Sequence, residues 1–429
     1  MIAAHDIALR TAGWPVTQAQ PPAMAAHTAS GWESILRGTL FLAILLSCIA
    51  LIEPSPHDGM MVVLLGIALF ARVPFKRLLV PLLLLLLLFN IGGLLSLTNV
   101  PDNSRAIIFT AVSIYLAIAA LLFAALLSEN TLARMNTIRS AYIAAAVITA
   151  IAGTIGYFNA IPSLYETLTL YGRGTGFFKD PNVYGPFLIW PLLILIARVV
   201  VERFTLRDII LQAVIAIGLL LSFSRGAWMH FLLSGAVMVA LLFITARQPR
   251  LRVRLIGFSI IGVFVFAALF IVMVSIPQVR DALAERANVF NTYDVGETGR
   301  FGLQEIALGV LLHYPLGMGV FEFGRLYGLQ QHNVYLQSFI VYGWLGGVAY
   351  FLLIGLTLLI GLRTALAVTP WQVYAIVAFA VFVGEVGEGM VIDTDHWRHF
   401  FLLLGMIWGM AAATRDYKRT ALAPGAAPA

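Results

Sequence analysis

Arg173, Arg225, Arg300 and His332 are the residues of this chain best suited to chemistry on an anion. A guanidinium presents a planar fork of N–H donors matched to phosphate oxygens. An imidazole takes or gives a proton near neutral pH. Arg173 opens the stretch RGTGFFKDPNVYG over 173–185, where glycines let backbone approach a ligand closely and Lys179, Asp180 and Asn182 add polar groups. Arg225 lies in SFSRG between two apolar runs with almost no loop, where an unpaired buried cation costs several kcal/mol. His332 and Asn333 start another apolar run from the same side as these cations. Farther on, Glu385, Glu388, Asp393, Asp395, His396, Arg398 and His399 cluster, and Glu385 and Glu388, at i and i+3, share a helix face.

Each of these has a structural competitor. The 173–185 stretch also reads as a plain helix-start turn, Arg225 as a snorkelling arginine, and Arg300 as half of an ion pair with Glu297 or Glu305. His332 also reads as a helix cap, and the acidic cluster as an ion-pair network around Arg398. Arg280, Arg286 and Arg325 read as solvated or headgroup-facing, and His230, inside an apolar run, as a packing residue. No spacing matches a zinc site or another metal motif, and no cofactor is expected.

The elements that position these residues follow from composition. Of 429 residues, 60% are hydrophobic and 11% charged, against roughly 25% charged in a soluble domain. The expected class is an all-α, polytopic membrane protein. A spanning helix needs about 20 apolar residues. Apolar segments run over 35–53, 60–73, 78–97, 106–128, 138–158, 183–201, 209–223, 227–246, 255–276, 334–362, 371–389 and 400–413, about twelve transmembrane helices. The second is short and also reads as re-entrant.

Clusters of Lys and Arg follow the even-numbered segments, which the positive-inside rule assigns to the cytoplasm. That bias explains most of the net charge of +6, so no nucleic-acid partner is implied. Of the 27 Lys and Arg, nine fall on the opposite side: Arg105, Arg173, Lys179, Arg225, Arg280, Arg286, Arg300, Arg325 and Arg398. Cys48, the only cysteine, excludes an intramolecular disulfide.

The expected organisation is a flexible cytoplasmic tail over 1–34, a transmembrane unit over 35–413 and a cytoplasmic tail over 414–429. The longest outer loop, 277–333, separates helices nine and ten. It carries an amphipathic stretch over 277–290, a turn over 293–299 and a short interfacial helix over 302–313. No internal repeat supports a transporter built from inverted halves.

Together, FKDPNVYG at 178–185, SFSRGAW at 222–228, GR at 299–300, HYPLGMGVFEFG at 313–324, HNVYLQSFIVYGWLGG at 332–347 and DTDHWRHFFLLLG at 393–405 resemble the O-antigen ligase and polymerase superfamily of bacterial membrane glycosyltransferases. The resemblance covers roughly 172–409 and rests on order and spacing more than on any one motif. It implies metal-independent transfer of a glycan from a polyprenyl-pyrophosphate donor to a glycan, glycolipid or protein acceptor, at the periplasmic face of the inner membrane. It assigns pyrophosphate binding to Arg225 and Arg300, with Arg173 a third, and a base on the acceptor hydroxyl to His332. Lys179, Asp180, Asn182, Asn333, Glu385, Glu388, Asp395 and Arg398 are expected to bind or support substrate. Ligase and polymerase differ mainly in acceptor, and both readings stay open. The alternative class is a transporter or flippase for an anionic lipid-linked saccharide.

Overall fold

A computed structural model describes residues 29–100, 104–202, 204–277, 280 and 299–421. The described residues are mainly α-helical. In chain order the principal helices are α1 Ala29–Leu46, α2 Pro56–Phe70, α3 Val80–Ser96, α4 Ser104–Leu127, α5 Thr131–Tyr157, α6 Pro181–Phe187, α7 Ile189–Val201 and α8 Leu206–Leu221. They continue with α9 Arg225–Thr245, α10 Pro249–Val274, α11 Arg300–Val310, α12 Glu322–Tyr327, α13 Val334–Ala365, α14 Gln372–Glu388 and α15 Arg398–Ala421. A two-stranded antiparallel hairpin, β1 Thr169–Leu170 and β2 Arg173–Gly174, sits between α5 and α6.

Every apolar segment expected from sequence overlaps a helix, the sixth as the consecutive pair α6 and α7. Among the described residues, six helices are long and apolar enough to cross a membrane, while α2, at 15 residues, is apolar but short. Helix α1 starts at Ala29, inside the stretch expected as tail, and α15 runs on to Ala421. The short helix expected over 302–313 is present as α11 and the turn Leu311–His313 that follows it. Most of the amphipathic stretch over 277–290 and the turn over 293–299, with Arg286 and Glu297, lie outside the described residues, as do residues 1–28 and 422–429 of the tails.

Close helix packing rests on small side chains. A Cβ on Gly405 of α15 would stand 2.9 Å from Ala120 O, and one on Gly409 would stand 2.7 Å from Ala124 O. Two glycines one turn apart therefore lie on two alanines of α4, the small-residue seam by which apolar helices bring their backbones together.

Polar bonds sort the loops into two ends. At one end Ala50 N donates to Phe177 O (2.8 Å), Asn99 Nδ2 to Gly317 O (2.6 Å), and Arg398 Nη2 to Asp58 Oδ2 (2.9 Å). At the other, Lys76 Nζ donates to Asp416 Oδ2 and Ser128 O, both at 2.7 Å, Arg134 Nη2 to Glu33 Oε2 (2.6 Å), and Arg139 Nη1 to Tyr374 OH (2.8 Å). Arg173, Arg225, Arg300 and Arg398 belong to the first end, and Lys76, Arg134 and Arg139, three of the cations expected on the inner face, to the second.

Helix α13 is broken at Gly343, whose φ of 67° and ψ of −174° only glycine occupies readily. The freed groups do not go unpaired. Trp344 N donates to Pro315 O (2.9 Å), and Met318 N donates to Ile340 O (2.7 Å). The segment 315–318 thus reaches into the bundle and satisfies the break, as irregular backbone away from water requires.

Candidate functional site

Arg173 is buried, and its fork is spent on the chain. Nε donates to Ser222 O and Nη2 to Asn182 Oδ1, each at 2.8 Å. Asp180 caps α6 by accepting from Asn182 N at 2.7 Å. One guanidinium therefore ties the β-hairpin, the start of α6 and the turn after α8. That turn passes through Phe223, held at φ 47°, and Ser224 then caps α9 by accepting from Ala227 N at 3.3 Å. Arg225 is the first residue of α9.

Arg300 occupies the equivalent place on α11, directly after the cap residue Gly299. A helix start carries partial positive charge and undirected N–H groups. Each of these two helices therefore begins with an arginine in its first turn, where a side-chain cation adds to the positive end of the helix dipole. Arg225 and Arg300 are thus two copies of one local device.

His332 sits at φ 46°, in the left-handed region, which costs a residue with a side chain about 1–2 kcal/mol. Its neighbours hold it there. Asn333, and not His332, caps α13, accepting from Tyr335 N (3.0 Å) and Leu336 N (3.2 Å) while its Nδ2 donates to Met390 O (3.1 Å). Gln304 of α11 donates to His332 O (3.4 Å) and to Met390 O (3.3 Å), and Val334 N donates to Gly389 O (2.9 Å). The helix that begins with Arg300, the His332 turn and the end of α14 therefore converge on one carbonyl.

His332 Nδ1 lies 3.5 Å from Asp393 Oδ2. The imidazole thus faces the Asp393 carboxylate at the long end of hydrogen-bond range. Burial pushes the Asp393 carboxyl above the ordinary aspartate range, and the hydrogen bond with His332 pulls it back. Asp393 Oδ1 is buried with no hydrogen bond among the described residues.

The remaining acids divide. Glu388 Oε2 lies 2.8 Å from His230 Nδ1, and His230 Nε2 lies 3.0 Å from Val381 O, all inside the bundle. A carbonyl only accepts, so Nε2 carries a hydrogen and one proton is shared across the Glu388–His230 contact. Glu388 also rests on the first turn of α9, where a Cβ on Gly226 would stand 2.7 Å from its Oε1. Glu385 is wholly buried, 3.5 Å from His399 Nε2. Asp395 accepts from Tyr342 OH at 2.9 Å, with Gln337 Nε2 at 3.5 Å. Arg398 does not organise this cluster, because it pairs with Asp58 of α2. Lys179 makes an exposed pair with Glu53 at 2.9 Å, outside the Met390 cluster.

The segment 388–393 thus links the parts: Glu388 touches the Arg225 helix, Met390 O gathers α11 and Asn333, and Asp393 faces His332. Sequence reasoning passed over His230, Gln304 and Gly226 and gave Asp393 no separate role. A polar residue inside a long apolar helix was the available signal for His230. Among the described residues, no group of three or more His, Cys, Asp or Glu side chains has the arrangement to hold a metal ion.

Residues 210–351, from α8 into α13, match a family model described as O-Antigen ligase. No curated protein matches the chain.

Proposed function

We propose that this chain, placed with the O-antigen ligase/polymerase superfamily by its match over 210–351, is a polytopic inner-membrane glycosyltransferase of surface polysaccharide assembly. It moves a glycan from a polyprenyl-pyrophosphate donor to an acceptor hydroxyl at the periplasmic face, without a metal. The observation that carries this reading is the convergence of α11, the His332 turn and the 388–393 segment, which brings two arginine-led helix starts to the end of the bundle that holds a His–Asp pair.

His332 Nε2 takes the proton of the acceptor hydroxyl while that oxygen bonds to the anomeric carbon. The bond from that carbon to the pyrophosphate oxygen breaks, and the electron pair stays on the pyrophosphate. Arg225 and Arg300, with the helix-start amides beside them, stabilise the departing charge. Asp393 orients His332 and balances the imidazolium. Attack opposite the leaving group inverts the anomeric centre. Arg173 positions the Arg225 turn. Asp180 and Asn182 hold the start of α6, Asn333 fixes the His332 turn, and Asp395 and Glu388 support the walls. Among the described residues, Arg173, Arg225, Arg300 and Arg398 gather at one end, which favours transfer over a transport path through the bundle.

The test is transfer by purified protein from a polyprenyl-pyrophosphate oligosaccharide to candidate acceptors in the presence of a chelator. Product with wild type and none with His332→Ala supports the reading, and a ladder of sizes against a single addition separates polymerase from ligase. Equal product from both proteins, or donor binding without product for any acceptor, overturns it.

A further inference from the structure

At the end opposite this site, a cavity of about 440 Å³ opens where the start of α3 meets the end of α15. Lys76, Arg77, Arg415 and Arg419 line it, with Asp416 the one carboxylate. We propose that this cavity binds the phosphate of an anionic phospholipid headgroup.

The cations are arranged rather than merely abundant. Lys76 Nζ donates to Asp416 Oδ2 and to Ser128 O, both at 2.7 Å, so two of its three N–H groups fix it in place and one is left for a ligand. Asp416 is thereby committed to Lys76. Arg77, Arg415 and Arg419 are exposed and have no carboxylate within ion-pair distance among the described residues. Arg415 and Arg419 stand one turn apart on α15, and Arg77 opens the helical turn Arg77–Leu79 that leads into α3. Cations that only answered the topology bias would spread into solvent, whereas these share one concave wall and repel one another until an anion enters.

The remaining wall selects the source of the phosphate. Phe75, Leu78 and Ala412 line the same cavity. An apolar surface beside the phosphate contacts suits a glycerolipid and gives nothing to free phosphate. Basic pockets between helices on the cytoplasmic side recognise anionic headgroups by this combination.

Native mass spectrometry of the detergent-released full chain tests the site, with added phosphatidylglycerol, with phosphatidylcholine, and with glycerol phosphate as a tail-free competitor. Wild type should retain phosphatidylglycerol over phosphatidylcholine, and glycerol phosphate should not displace it. Each cation contributes roughly fivefold near a membrane surface, so Arg77→Gln/Arg415→Gln/Arg419→Gln should bind about a hundredfold more weakly. The single variants Arg415→Gln and Arg419→Gln alter exposed side chains and keep the test available where the triple variant does not fold. Arg325→Gln, at the other end, should leave binding unchanged. Equal retention by wild type and the Arg415 and Arg419 variants, or no preference for the anionic lipid, overturns the proposal. Displacement by glycerol phosphate overturns it too, by assigning the cavity to a soluble phosphate.

Discussion

His230 Nδ1 lies 2.8 Å from Glu388 Oε2, with both side chains withdrawn from solvent and the other ring nitrogen held 3.0 Å from Val381 O. The bond crosses between α9 and α14 and joins residues 158 apart in sequence. It matters because the same carboxyl lies against Gly226, next to Arg225, while the residues just after it meet Asn333 and His332.

Glu388→Gln should keep the fold, because the amide N–H₂ donates to Nδ1 of a neutral His230 as a protonated carboxyl would. Glu388→Ala leaves a buried imidazole nitrogen without a partner and should cost about 1–3 kcal/mol. Thermal unfolding of the two variants in one detergent separates them. A Gln variant as unstable as the Ala variant would mean the pair is held as two charges.

Gly226→Ala places a methyl 2.7 Å from Glu388 Oε1. The carboxyl must move, and overpacking of this kind costs about 1–3 kcal/mol. Because the displaced group joins Arg225 to the His332 side, turnover should fall more than donor binding weakens. The check is kcat and KM measured separately, and a variant with wild-type values of both would remove Glu388 from the positioning scheme.

Arg225→Ala and Arg300→Ala should each lower the transfer rate roughly 10²–10³-fold, the size expected for losing one preorganised donor to developing charge, while folding is retained. Arg173→Ala should act on stability instead, since it strips the donors from Ser222 O and Asn182 Oδ1, charged hydrogen bonds worth about 1.5–3 kcal/mol each. Arg173→Lys should rescue little, because an ammonium lacks the planar fork that reaches both acceptors. Unfolding temperature beside transfer rate for the four variants gives the contrast, and a stable, inactive Arg173→Ala would place that residue on substrate.

Transfer should rise with pH as Asp393 ionises. Burial holds that carboxyl above its ordinary 3.8, so the form that accepts from His332 appears at higher pH than for an exposed aspartate. The stability effect runs the other way. A raised folded value favours the protonated, folded protein fully below 3.8, and that contribution is lost as pH climbs through the raised value. Asp393→Asn should lower kcat with a smaller effect on KM and remove the Asp393 limb of the profile. An unchanged profile would exclude Asp393 from the reaction.

The sequence by itself determined the helical segments and the local form of each motif. Asp180, Ser224, Gly299 and Asn333 cap helices where the motifs begin, since a cap is decided by residues within one turn. Partnerships across helices were decided only by the tertiary structure: Glu388 with His230, Asp393 with His332, Arg398 with Asp58, and Arg173 spent on Ser222 and Asn182. The physical reason is rotation about the helix axis. A helix apolar on all sides, such as α9, carries no facial pattern that says which side meets which neighbour. Packing of small residues settles it, and packing exists only once the helices are together.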